Sequence, residues 1–172
     1  PKETMNLAQK LYEGGYITYM RTDSTVYSKD FIKTQKKFIE SKWGHQYVNE
    51  KINNLSKNKK KTNSQEAHEA IRPTNIQLTA IPNENQTRLQ KLYQLIYNTT
   101  LESGMAPAKY YKLVSSITSP EEHFFIYTCE SPIFLGWKIV QNKNDNEDEI
   151  YNYLLTLPET QVKYQKITSD QV

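Results

Sequence analysis

Pro107 divides this chain by the period of its apolar residues. Ahead of it they recur at spacings of three and four; behind it come runs rich in Tyr, Ile, Val, Phe and Thr, separated by polar turn formers. A chain whose helical signals come first and whose strand signals follow segregates into α+β layers, not alternating βαβ units. The expectation is a mainly helical domain over residues 1–107 and a β-rich segment over residues 108–172.

In the first part, Met5, Ala8, Leu11 and Tyr12 mark one face of a helix that Gly14-Gly15 ends. Tyr16 to Met20 reads as a brief extended segment. Ser24 and Ser28 can each cap a second helix, with Phe31, Phe38 and Ile39 facing inward before Gly44. A third helix is predicted from about Gln86 to Glu102, carrying Leu89, Leu92, Tyr93 and Ile96 on one stripe. Residues 53–64 are Asn, Lys, Ser and Thr around Leu55, an exposed loop holding the basic run "KNKKK". "EAHEAIRP" follows as a turn or short helical piece closed by Pro73.

Past Pro107, strands are predicted at Lys109–Thr118, Glu122–Glu130, Phe134–Val140, Ile150–Leu155 and Gln161–Thr168. The acidic stretch at 141–149 reads as a solvated hairpin tip, not a metal site.

Composition bounds the function. Hydrophobic residues at 37% and charged residues at 24% suit a folded soluble protein, and no apolar run or leader points to a membrane. Cys129 is alone, which leaves no internal disulfide and no cysteine-rich zinc site and fits a cytoplasmic setting. The chain opens at Pro1 straight into a helical pattern, as a piece of a longer polypeptide would. Residues 1–75 carry 14 Lys and Arg against 8 Asp and Glu, whereas the remainder carry 8 against 11. A basic first half can attract a polyanion through its phosphates, although an ordinary solvated surface has the same composition.

"GYITYMRTDS", residues 15–24, carries the chemistry. If Ile17 to Arg21 is extended, Tyr19 and Arg21 project to one side and Thr18 and Thr22 to the other. A phenol is a poor nucleophile at neutral pH unless positive charge lies near, and Arg21 can supply it while its planar fork suits a phosphate. Tyr16 follows the glycine pair as a core aromatic would, and the same packing role stays open for Tyr19. His68-Glu69 begins the zinc-protease pattern H-E-x-x-H, but Arg72 occupies the second histidine's place, so that site is discarded. A histidine, a glutamate and an arginine remain close together, suited either to a phosphate or to local ion pairing.

"LYEGGYITYMRTDS" at 11–24, "NSQEAHEAIRPT" at 63–74, "LQKLYQLIY" at 89–97 and "MAPAKY" at 105–110 together resemble the bacterial type IA DNA topoisomerases, and Gly136-Trp137 continues the likeness more weakly. The resemblance implies a helical, helix-turn-helix-like domain bearing the active-site tyrosine, followed by part of a β-rich hinge domain. It implies Tyr19 as the nucleophile that cleaves single-stranded DNA to a 5′-phosphotyrosine and a 3′ hydroxyl, with strand passage, religation and relaxation of negative supercoils. Arg21 is implied as its phosphate-stabilising neighbour and His68 as a DNA-binding residue, with Thr22, Asp23, Glu69 and Arg72 lining the site. The family uses Mg2+ and no ATP; the ligands of that ion lie in a Toprim domain outside this chain, and no metal residue is assigned here. The expected partners are single-stranded DNA and the rest of the same polypeptide, in a monomer associated with the bacterial nucleoid. The chain by itself is expected to be inactive. The competing reading is a single-stranded nucleic-acid-binding module without covalent chemistry.

Overall fold

Helix α1 (Lys2–Glu13) ends as its glycines dictate. The Gly15 amide donates to the Tyr12 carbonyl and the Tyr16 amide to the Leu11 carbonyl, both at 2.9 Å, with Gly15 at φ 74°. That left-handed backbone suits glycine, and it turns the chain sharply into the Tyr16 segment. The computed structural model describes residues 1–51, 69–82, 87–119, 123–141 and 149–157. The expected basic loop at 53–64, the last strand at 161–168 and most of the acidic tip lie outside them.

Helix α2 (Lys29–Trp43) starts at Ser28, whose Oγ accepts from the Phe31 amide at 3.3 Å. Ser24 instead accepts from the Val26 amide in the turn before it. Phe31, Ile32, Gln35 and Ile39 form the buried face, and Phe38 is half-buried beside it. Helix α3 (Thr87–Ser103) buries Leu89, Tyr93, Tyr97 and Leu101, a stripe at helical spacing, against a core shared with Leu11, Ile17, Ile39 and Ile76.

The Tyr93 and Tyr97 hydroxyls do not reach for solvent. They donate to the carbonyls of Leu78 and Ile76 at 2.6 and 3.0 Å, which ties that loop to α3. Burial, with smaller contributions from neighbouring phenols, pushes Tyr93 up to about 12, and burial also raises Tyr97. Gln35 is fully buried and donates through Nε2 to the Thr100 carbonyl. That carbonyl belongs to the last turn of α3, where helical partners run out, so α2 completes the end of α3.

Two compact units result. The first joins Pro1–Ala108 to a segment returning from Leu135; the second holds β1 (Lys109–Thr118), β2 (Phe124–Phe134) and α4 (Glu149–Leu155). Strands β1 and β2 pair antiparallel from Lys109↔Phe134 to Thr118↔Phe124. Tyr111, Val114, Phe124 and Ile126 stay exposed on this two-stranded sheet. No helix among the described residues is long and apolar enough to cross a membrane.

Two predicted strands are corrected. Residues Gly136–Gln141 form a 3₁₀ helix, because Gly136 at φ 52° breaks the extended run and the Trp137 amide donates to the Ala106 carbonyl at 3.0 Å. Ile150–Leu155 falls in α4, where the half-buried Tyr151 and Leu154 sit three apart; its strand-like composition yields to that helical spacing.

A Cβ on Gly136 would sit 2.5 Å from the Ala106 carbonyl oxygen and 2.6 Å from the Ala108 nitrogen, whereas at Gly15 nothing lies within 4 Å. Gly15→Ala therefore meets only left-handed strain, about 1 kcal/mol. Gly136→Ala adds a backbone clash and should cost more, about 2–3 kcal/mol. Thermal unfolding of the two variants side by side checks the order.

Candidate active site

The two sequence motifs lie more than 40 residues apart and meet in space. Ile17 and Pro73 form an antiparallel bridge, flanked by bonds from the Thr18 amide to the Arg72 carbonyl at 2.9 Å and from the Thr74 amide to the Tyr16 carbonyl at 3.0 Å. Ile17 and Pro73 thus occupy a position where the pair exchanges no hydrogen bond, so the missing proline N–H costs nothing. Thr74 Oγ1 adds a bond to the Gly15 carbonyl at 2.7 Å.

The extended segment is shorter than the sequence suggests. The backbone bends at Thr18, Met20 and Arg21, and Ile17 and Met20 are the buried anchors at 1% and 5% exposure. Strict alternation therefore does not carry from Tyr19 to Arg21. Tyr16 packs edge-on to Tyr93, centroids 6.3 Å apart, as a core aromatic. Tyr19 is half-buried, its ring edge-on to Tyr12 of α1 at 5.3 Å. Arg21 is exposed, and among the described residues no carboxylate pairs with it. A phenol held at its ring and followed two residues later by an exposed guanidinium can meet a phosphate.

Thr22 Oγ1 accepts from the Ser24 amide at 3.0 Å, and Asp23 is exposed. His68 lies outside the described residues. Glu69 and Arg72 form an ion pair at 2.8 Å, with side chains only 22% and 15% exposed. Arg72 also lies over the Phe31 ring at 4.0 Å and donates from Nη1 to the Pro73 carbonyl at 2.9 Å. Glu69 Oε1 accepts from the Ser28 amide at 2.6 Å. In a capping box this reciprocal bond comes from an acidic residue at the third helical position; here that residue is Phe31, and Glu69 substitutes from a distant segment. Sequence reasoning did not find this role, nor those of Thr18 and Thr74, because each depends on long-range pairing. A cleft lined in part by Ser28, Phe31, Arg72, Thr74 and Gln77 opens between α2 and this segment, and neither Tyr19 nor Arg21 lines it.

Residues 1–172 match the family model described as DNA topoisomerase, and the chain belongs to that family, in its bacterial type IA branch. DNA topoisomerase 1 of Escherichia coli K12 is 46% identical over 110 residues, covering 63% of this chain and 12% of that protein. The Vibrio cholerae DNA topoisomerase 1 is 40% identical over 155 residues, covering 87% of this chain and 17% of that protein. The full-length topoisomerase I structure from Thermotoga maritima superposes with a TM-score of 0.64 at 32% identity, covering 84% of this chain and 24% of that one. The chain thus spans less than a quarter of the length of these relatives.

Burial raises the Glu69 pKa, but hydrogen bonds from Arg72 and Ser28 and the Arg72 charge outweigh it and hold the carboxyl below its usual value. A depressed folded-state pKa stabilises the fold above the unfolded carboxylate value, near pH 4, and that contribution is lost as pH falls through the folded value. Glu69→Gln should therefore lower the thermal midpoint at pH 7 and flatten its decline below about pH 4. Melting curves across pH measure both.

Proposed function

We propose that this chain is the tyrosine-bearing part of an enzyme that transiently cleaves single-stranded DNA, with Tyr19 as nucleophile. The observation that carries the reading is the half-buried Tyr19, braced by Tyr12, on a backbone clamped to the Glu69–Thr74 segment and near the exposed Arg21. Tyr19 Oη attacks the phosphorus of a phosphodiester and gives up its proton to a base. The bond from phosphorus to O3′ breaks, the departing oxygen takes a proton, and a 3′ hydroxyl is left while the 5′ phosphate stays on Oη. Reversal reseals the strand. One phosphodiester is exchanged for another, so relaxation of negative supercoils needs no ATP.

Arg21 neutralises charge on the phosphate oxygens as they develop it. We assign DNA contact to His68 and site lining to Thr22, Asp23 and the ion-paired Glu69 and Arg72. Among the described residues no group of three or more His, Cys, Asp or Glu is placed to hold a metal ion, so they do not fit as its holders. Mg2+ belongs in this reading to a Toprim domain elsewhere in the polypeptide, where it would supply further charge neutralisation. The first unit serves as the tyrosine domain and the second, with its two strands, as part of the hinge, in a monomeric cytoplasmic enzyme acting at the nucleoid. The chain on its own is inactive.

In the full-length enzyme, Tyr19→Phe removes only the hydroxyl. It should bind single-stranded DNA normally yet form no denaturation-resistant adduct and relax no supercoils, whereas Tyr16→Phe should retain both activities. An adduct in Tyr19→Phe would overturn the assignment and favour a binding module or another nucleophile. Arg21→Lys keeps charge but loses the fork, so cleavage should slow about tenfold or more while DNA affinity changes little. Rapid-quench cleavage and binding titrations separate the two effects.

A further inference from the structure

The pairing of the two motifs ends abruptly, and it ends at Thr18. In a regular antiparallel ladder, the residues beside a non-hydrogen-bonded pair exchange two bonds, each amide donating to the other's carbonyl. Thr18 and Arg72 stand in that position. The Thr18 amide donates to the Arg72 carbonyl as the ladder requires, but the Arg72 amide donates at 3.0 Å to the Thr18 hydroxyl and not to its carbonyl. The same hydroxyl donates its own proton to the Ala70 carbonyl at 2.9 Å. One side chain therefore satisfies two backbone groups of the facing strand, and the ladder stops one residue before Tyr19.

We propose that Thr18 is a positioning residue for the cleavage reaction: its hydroxyl terminates the strand pairing and sets the point and direction from which Tyr19 leaves the facing segment. The inference rests on Tyr19 being the nucleophile. Three features support it. One of the bends in the backbone falls at Thr18, immediately before Tyr19. The hydroxyl's one proton and an acceptor site are both engaged within the pairing, which suits a group that acts through its neighbour. Its partners Ala70 and Arg72 flank the segment that Glu69 ties to the start of α2, so the point of departure is referred to a helix and not to a loose loop. An isosteric residue without the hydroxyl would leave the Arg72 amide and the Ala70 carbonyl unpaired. The two strands would then shift to recover bonds, carrying Tyr19 with them.

The test uses the full-length enzyme, a single-stranded oligonucleotide, and three variants whose folding is followed by thermal unfolding. Thr18→Val keeps the shape and removes the hydroxyl. It should slow adduct formation at saturating DNA by about tenfold to a hundredfold, with oligonucleotide affinity within about twofold of the parent. Thr18→Ser restores the hydroxyl without the methyl and should recover most of the rate. A Thr18→Val enzyme that cleaves at the parental rate would overturn the proposal. So would a Thr18→Ser enzyme as slow as the valine variant, or losses of rate and affinity in parallel. Should Thr18→Val fail to fold, the serine variant decides, since a folded Thr18→Ser enzyme that cannot cleave is incompatible with a role for the hydroxyl. Tyr19→Phe in the same assay reports on the nucleophile separately: an adduct there would remove the reading on which the role of Thr18 rests, and the role with it.

Discussion

Two backbone hydrogen bonds, one on each side of Ile17 and Pro73, hold together segments that the sequence separates widely. Neither segment has regular structure to keep it in place. The first leaves α1 through a glycine turn, and the second approaches from residues that include the longest polar stretch of the chain. Once paired, they share anchors: Ile17 and Met20 enter the core from one side, Ile76 from the other, and the phenols of α3 bind the carbonyls that follow. Loss of that pairing would release the backbone that carries Tyr19 into its place between α1 and the facing segment.

Polar side chains repeatedly finish the backbone of some other element. Glu69 completes the start of α2, Gln35 the end of α3, and Thr18 the facing strand beside it. Each bond is modest in net strength, yet each would leave a poorly solvated donor or acceptor behind if removed. This makes the first unit specific as well as stable: apolar contacts tolerate sliding, whereas a carbonyl that needs one particular amide does not.

The helices were legible because their determinants are local. Gly14-Gly15, Ser28 and Gly44 bracket α1 and α2, and the spacing of Leu89 and Tyr93 marks the buried side of α3, although Tyr97 and Leu101 continue that stripe and the expected Leu92 and Ile96 are only half-buried beside it. The hairpin was legible from its runs of aromatic and β-branched residues. Legibility fails where tertiary context decides. Gly136 and Trp137 look like part of a strand until the Ala106 carbonyl is known to wait for them, and the Tyr and Ile of α4 suit either conformation. At the site, the motifs could be recognised as belonging together. What they do for one another could not: in isolation Arg72 suits either a phosphate or a local ion pair, and its pairing with Glu69 and its stacking on Phe31 appear only in the folded chain.

The hairpin interrupts the first unit, and this has a bearing on the order in which the chain folds. Residues 136–141 close on Ala106 and Glu102, so the helices cannot receive their last neighbour until β1 and β2 have left the ribosome. Closing that gap through a disordered connection would carry the entropy of a long loop. A hairpin zipped from Thr118 and Phe124 down to Lys109 and Phe134 removes most of it, since it delivers Leu135 beside Ala108 already turned back. Strands paired in this way would shorten the loop that the helical part has to close, with or without DNA.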